Sequence, residues 1–202
     1  MSFKIGGTEI LVSFTLLCLF ACCVISGAAK SFLWCAAAVA VHESGHLIMM
    51  KKCGYFPKRI KISLFEISIA DEKREQRGFW KNAAIIFFGP FANFICFPVS
   101  YLLYLCGIEF LLPFAAANLS VGLFNFLPVM SLDGGQLLYL LLSRRFGHRG
   151  AERAVDIATF ICIFPLAAMG FLVLLRSKNN FSLLFVCVYL IISLIFRGNR
   201  YY

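Results

Sequence analysis

Long apolar runs separated by short polar segments dominate the chain. Six are apparent, at about 9–28, 32–51, 80–106, 109–143, 152–175 and 181–196. Most approach or exceed the roughly 20 residues that a helix needs to cross about 30 Å of hydrocarbon. The fourth is different. It holds 35 residues from Glu109 to Ser143, which as one straight helix would extend about 52 Å. Asn125, Pro128, Gly134 and Gly135 interrupt it, because proline removes a helix donor and glycine favours non-helical backbone. A discontinuous span is expected, with its irregular backbone buried in protein or facing a wet cavity.

One polar interlude stands out, from Lys51 to Lys81. Ile60, Ile62 and Leu64 alternate with Lys61 and Ser63; then Phe65, Ile67 and Ile69 alternate with Glu66 and Ser68 in the opposite phase. Period-2 patterning predicts extended strand, and the change of phase predicts a bulge or turn near Leu64 to Glu66. The alternative is an amphipathic linker lying on lipid headgroups. The pattern as a whole reads as an all-α integral membrane protein. It has about six transmembrane helices, a discontinuous fourth span, and a short membrane-associated β-strand or hairpin between spans two and three. Residues 1–202 read as a single membrane-embedded domain.

Composition strengthens this picture. Hydrophobic residues make up 61% of the chain and charged residues 14%, with mean hydropathy +0.85, far from soluble averages. The net charge of +9 would suit nucleic acid, but no soluble platform carries it. Its placement is more telling. One basic residue precedes the first span, nine lie between Lys51 and Lys81, four between Arg144 and Arg153, and two follow the last span. Lys30, Arg176 and Lys178 fall on the other side. The positive-inside rule then puts both termini in the cytoplasm. The nine cysteines form no Cys-x-x-Cys and read as small buried hydrophobes in reduced surroundings. The first span, with Lys4 before it and Ser26-Gly27-Ala28-Ala29 at its end, has a signal peptide as its alternative, but is long for one.

The chemistry lies in the second run, at His42-Glu43-Ser44-Gly45-His46. Histidines four apart on a helix point from one face, one turn apart. In this HExxH pattern two imidazoles bind zinc, and the adjoining carboxylate can take a proton from water at the metal. Three ionisable residues in one span are costly unless paired, metallated or hydrated, so function is the default reading. A catalytic zinc usually has three protein ligands and one open position. Asp133 is the candidate third ligand: it is the only acidic residue between Glu109 and Glu152 and sits in the expected helix break. Counted at 1.5 Å per residue, His42 lies about 14 Å from Lys51, and Asp133 about 16 Å from Arg144. Asn93 lies about 18 Å from Lys81 on the same count. Its amide would orient substrate or steady a developing oxyanion; an interhelical hydrogen bond is the alternative. Asn118 and Asn125 read as structural, and His148 as a solvated loop residue.

HESGH at 42–46, GPFAN at 89–93 and NFLPVMSLDGG at 125–135, in that order, resemble the site-2 proteases, the membrane-embedded zinc metalloproteases. The match extends over about 32–146, the expected catalytic core; the spans at 9–28, 152–175 and 181–196 rest on hydropathy alone. The resemblance implies that His42, His46 and Asp133 bind one zinc ion, that Glu43 is the catalytic base, and that Asn93 lines the active site. It also implies that the polar strand corresponds to the family's membrane-associated hairpin. Many members have prolines before LDG, where this chain has Met130-Ser131. The loops leave no room for a PDZ-like or CBS-like domain, as in the compact sporulation-type bacterial group. A bacterial cell membrane and a membrane regulatory partner are therefore expected.

The implied activity is hydrolysis of peptide bonds in or near transmembrane segments of membrane proteins, at a site near the cytoplasmic face. A helical substrate must unwind to expose a carbonyl. Ile60, Ile62, Leu64 and Ile67 mark the strand that would hold it by β-augmentation. Three alternatives remain: a metal-ion transporter, a catalytically silent scaffold that binds transmembrane partners, and an HExxH protease of the CAAX-processing kind. The last would take its third ligand from a glutamate, for which Glu152 is the available residue.

Overall fold

The structure is a computed structural model and describes residues 2–5, 8–12, 21, 23–25, 27–55, 59–62, 67–70 and 77–176. The chain divides into two compact units, Met1–Leu123 and Phe124–Tyr202.

Three helices organise the first unit: α1, Ala29–Lys52; α2, Phe79–Leu105; and α3, Leu112–Asn125, which enters from a short 3-10 turn at Glu109–Leu111 and ends just past the boundary. α1 and α2 follow the second and third expected spans to within three residues, and both are long and apolar enough to cross a membrane. Their buried faces invert the soluble pattern. α1 buries Ala38, His42 and Gly45; α2 buries Gly89, Pro90, Asn93 and Ser100; α3 buries Ala115, Asn118 and Gly122. The spacing is helical and these residues are small or polar; Met50, Ile85 and Ile86 are the large apolar side chains buried beside them. Other large apolar side chains point outward instead, among them Ile48, Ile95, Val99, Leu102 and Leu105. Small residues let helix backbones approach, and lipid rather than a packed core takes the large side chains. At Gly45 the approach is closest: a Cβ there would collide with the carbonyl oxygen of Phe88 and lie 2.9 Å from Ala92 Cβ.

Gly54 ends the turn after α1 with φ +80°, a left-handed conformation that favours glycine. Tyr55 N–H reaches back to Met50 O at 2.9 Å. The Arg77 guanidinium then lies 4.3 Å over the Tyr55 ring, joining the two ends of the segment between α1 and α2. Four strands complete the unit: β1, Ser2–Ile5; β2, Thr8–Val12; β3, Arg59–Ile62; and β4, Ile67–Ala70. They form one sheet in the order β1-β2-β3-β4. β2 pairs parallel with β3, and β3 antiparallel with β4, Ile62 opposite Ile67.

This corrects the first expected span. Its start at residue 9 lies inside strand β2, where Thr8, Ile10 and Val12 favour extended backbone and a partner strand lies on each side. Residues 13–20 of that span, the turn at Leu64 to Glu66, and the sixth expected span at 181–196 lie outside the described residues.

The second unit begins with an irregular segment and continues as α4, Asp133–Arg176, which is divided by non-helical backbone at Gly147, φ 70°. Here the broken fourth run is visible: helix to Asn125, irregular chain, then helix from Asp133. Val129, Leu132 and Ile163 form its core, with Phe124, Leu127 and Cys162 against them. The one hydroxyl proton of Thr159 lies within reach of both Val155 O at 2.8 Å and Pro128 O at 3.2 Å. Glycine is obligatory at the start of α4. A Cβ at Gly134 would collide with the Phe126 carbonyl, and one at Gly135 with that of Val129.

Candidate metal centre

His42 and His46 lie on the α1 face that packs against α2, and two successive turns of α2 support them. His46 Nδ1 bonds Ile85 O at 2.8 Å. A carbonyl only accepts, so Nδ1 carries the proton and Nε2 keeps its lone pair. Pro90, inside α2, removes an amide from the helix ladder close by. Gly89 lets the His46 ring lie against the helix, since a Cβ there would collide with Nε2 and Cε1.

His42 is 4% exposed, and its tautomer follows from a chain of hydrogen bonds. Asn118 Nδ2 donates to Phe114 O at 2.9 Å, which turns Asn118 Oδ1 toward Asn93. Asn93 Nδ2 donates to that oxygen at 2.9 Å and to Ala38 O at 2.9 Å. Asn93 Oδ1 is left facing His42 Nδ1 at 2.9 Å, so Nδ1–H is the donor. Asn93 and Asn118 are both fully buried.

In the neutral rings both Nε2 atoms are acceptors, and they face each other at 3.2 Å. Two lone pairs converge on one point, which is favourable only with a cation or proton between them. A tetrahedral metal with arms of about 2.0–2.1 Å would hold two nitrogens about 3.3 Å apart, so the pair fits zinc. Glu43 adjoins this pair on α1, half-buried.

In the second unit, Asp133 is the first residue of α4, where the helix dipole favours an anionic side chain. Asn125 is the last residue of α3. Of the expected substrate strand, Ile60 and Ile62 lie in β3, Ile67 lies in β4, and Leu64 is outside the described residues. β3 already has β2 on one side and β4 on the other, so an added strand would have to pair with an end strand, β4 rather than β3.

Sequence reading missed Asn118 as a partner of Asn93, and it missed the part played by Gly89. The usable signal was helical spacing: Ile85, Gly89 and Asn93 recur every four residues, as do Asn118 and Gly122. Replacing Gly89 by Ala is expected to force the His46 ring aside. Overpacking of this kind costs about 1–3 kcal/mol, to be read as a lower unfolding midpoint in detergent together with weaker zinc retention.

Residues 104–169 match Peptidase family M50. Among known proteins, the chain is 27% identical over 167 residues to stage IV sporulation protein FB of Bacillus subtilis. It is 25% identical over 158 residues to a zinc metalloprotease of Methanocaldococcus jannaschii. These alignments cover 81% and 72% of this chain, which spans 57% and 45% of the relatives' lengths. A solved site-2 protease from Methanocaldococcus jannaschii superposes with a TM-score of 0.67 at 26% identity, covering 94% of this chain and 92% of that one. With α1 and α2 long and apolar enough to cross a membrane, these matches make the chain homologous to stage IV sporulation protein FB and to a solved site-2 protease, with Peptidase family M50 matched over residues 104–169.

Proposed function

We propose that the protein is an intramembrane zinc metalloprotease that hydrolyses peptide bonds in or near transmembrane segments of other membrane proteins. The observation that carries this reading is the pair of imidazole Nε2 atoms converging at 3.2 Å, with a carboxylate beside them, on a helix apolar enough to cross a membrane. A transporter has no need of a general base next to its metal. Asp133 is assigned as the third ligand. In support, two imidazoles and a carboxylate are a donor set that zinc accepts, and Asp133 is the acidic residue between Glu109 and Glu152.

When bound, zinc supplies a Lewis acid that polarises the scissile carbonyl and makes nearby water more acidic. The other steps belong to the chain. Glu43 takes the proton of the attacking water and delivers it to the departing amide nitrogen. Asn93 and Ile85 hold His42 and His46 through Nδ1, which leaves each Nε2 to the metal. An unwound substrate segment adds to β4 through backbone hydrogen bonds, which gives modest sequence specificity.

The same reading takes the chain as one protease domain with about six spans. Both termini and the nearer mouth of the site face the cytoplasm, on the evidence of the basic segments. A transmembrane substrate and a membrane regulatory partner follow from it. The test uses purified protein in detergent with a single-span substrate. Cleavage should stop on chelation and return with about one equivalent of zinc. Cleavage that survives complete metal removal would overturn the proposal.

A further inference from the structure

We infer that Asn93 and Asn118 act together as positioning residues that set the His42 tautomer and so the metal affinity of the site. The inference rests on the zinc reading above and deepens it. The sequence-based role for Asn93, an amide offered to substrate or to a developing oxyanion, requires a free amide hydrogen. Asn93 has two, and they go to Ala38 O and Asn118 Oδ1. Its oxygen goes to His42 Nδ1, and the whole residue is buried. Nothing remains for a substrate.

What remains is orientation. An isolated asparagine could flip its amide and present NH2 to His42 Nδ1; that would move the imidazole proton to Nε2 and remove the lone pair needed for a metal. Asn118 prevents the flip. Its own amide is committed to Phe114 O, so it can offer Asn93 only an oxygen, and Ala38 offers another. Two backbone carbonyls, on α1 and α3, thereby dictate which nitrogen of His42 is basic. Gly122, one turn beyond Asn118, makes room for this arrangement: a Cβ there would lie 3.2 Å from Asn93 Cβ and 3.1 Å from the Phe94 ring. Groups that hold the distal nitrogen of a ligating histidine typically change metal affinity by about 10–100-fold.

The test compares Asn93→Leu, Asn93→Asp and Asn118→Leu with the wild type, measuring zinc affinity by chelator competition and the visible spectrum of the cobalt-substituted protein. Asn93→Leu keeps the volume but removes the acceptor; its zinc affinity should fall about 10–100-fold, with an altered cobalt spectrum. Asn93→Asp keeps an oxygen on His42 Nδ1 but sets its other oxygen against Ala38 O and Asn118 Oδ1, so it should lower the unfolding midpoint yet retain more zinc affinity than Asn93→Leu. Asn118→Leu should fall between Asn93→Leu and the wild type. Thermal unfolding of each variant separates a fold defect from a metal defect, because a purely structural role lowers the midpoint without rescue of affinity by Asp. Wild-type zinc affinity and spectrum in Asn93→Leu, with turnover alone reduced, would overturn the inference in favour of direct substrate contact. If the wild type itself binds no zinc, it is the metalloprotease reading that fails.

Discussion

Replacing Glu43 by Gln is expected to leave one zinc per chain and to lower cleavage of a single-span substrate by about 10²–10⁴-fold. Glutamine preserves shape and polarity but cannot accept the proton of the attacking water at neutral pH. Because Glu43 adjoins the ligand pair without belonging to it, metal content should not change. A variant that loses zinc together with activity would make Glu43 a ligand. A variant that retains activity would remove the general base from the mechanism.

The second large effect concerns the third ligand. Asp133→Asn is expected to lower zinc affinity by more than the factor of about 100 attributed to supporting residues, because it takes a charged donor from the metal itself. Glu152→Gln should leave zinc content and cleavage at wild-type levels. Glu152 is half-buried in α4 beyond the Gly147 break, nineteen residues from the helix start that Asp133 occupies. The opposite outcome, zinc lost with Glu152 and retained without Asp133, would point to the CAAX-type arrangement.

Hydropathy located α1 and α2 closely because each is a continuous apolar run bounded by charge or glycine, and membrane spans need little else to be recognised. The same measure misplaced the start of the first span. Thr8–Val12 belongs to an apolar stretch that reads equally well as helix, and only the pairing with β1 and β3 marks it as strand. The pairing with β3 joins residues fifty apart in sequence, which local periodicity cannot register. The break between Asn125 and Asp133 was legible because Pro128 acts on the backbone directly; Gly134 and Gly135, read as part of the break, lie in the first turn of α4 and serve close packing instead.

At the candidate site, the residues with chemistry of their own were legible and those that support them were not. His42, Glu43 and His46 announce themselves by cost, since ionisable groups in hydrocarbon need a reason. Gly89 and Asn118 carry no such cost. Gly89 matters through the side chain it lacks, beneath the His46 ring. Asn118 matters through a proton it does not supply to Asn93. Both roles depend on contacts between helices, and the GPFAN segment became interpretable only when that part of α2 was seen to support both histidines.

The most direct measurement is mass spectrometry of fragments formed in H₂¹⁸O from a single-span substrate reconstituted in liposomes with wild-type protein or Glu43→Gln. The expected result is a cut within or beside the apolar segment, with one ¹⁸O in the new carboxyl terminus, from the wild type alone. Absence of any cut by the zinc-loaded wild type, or the same fragments from both proteins, would contradict the account.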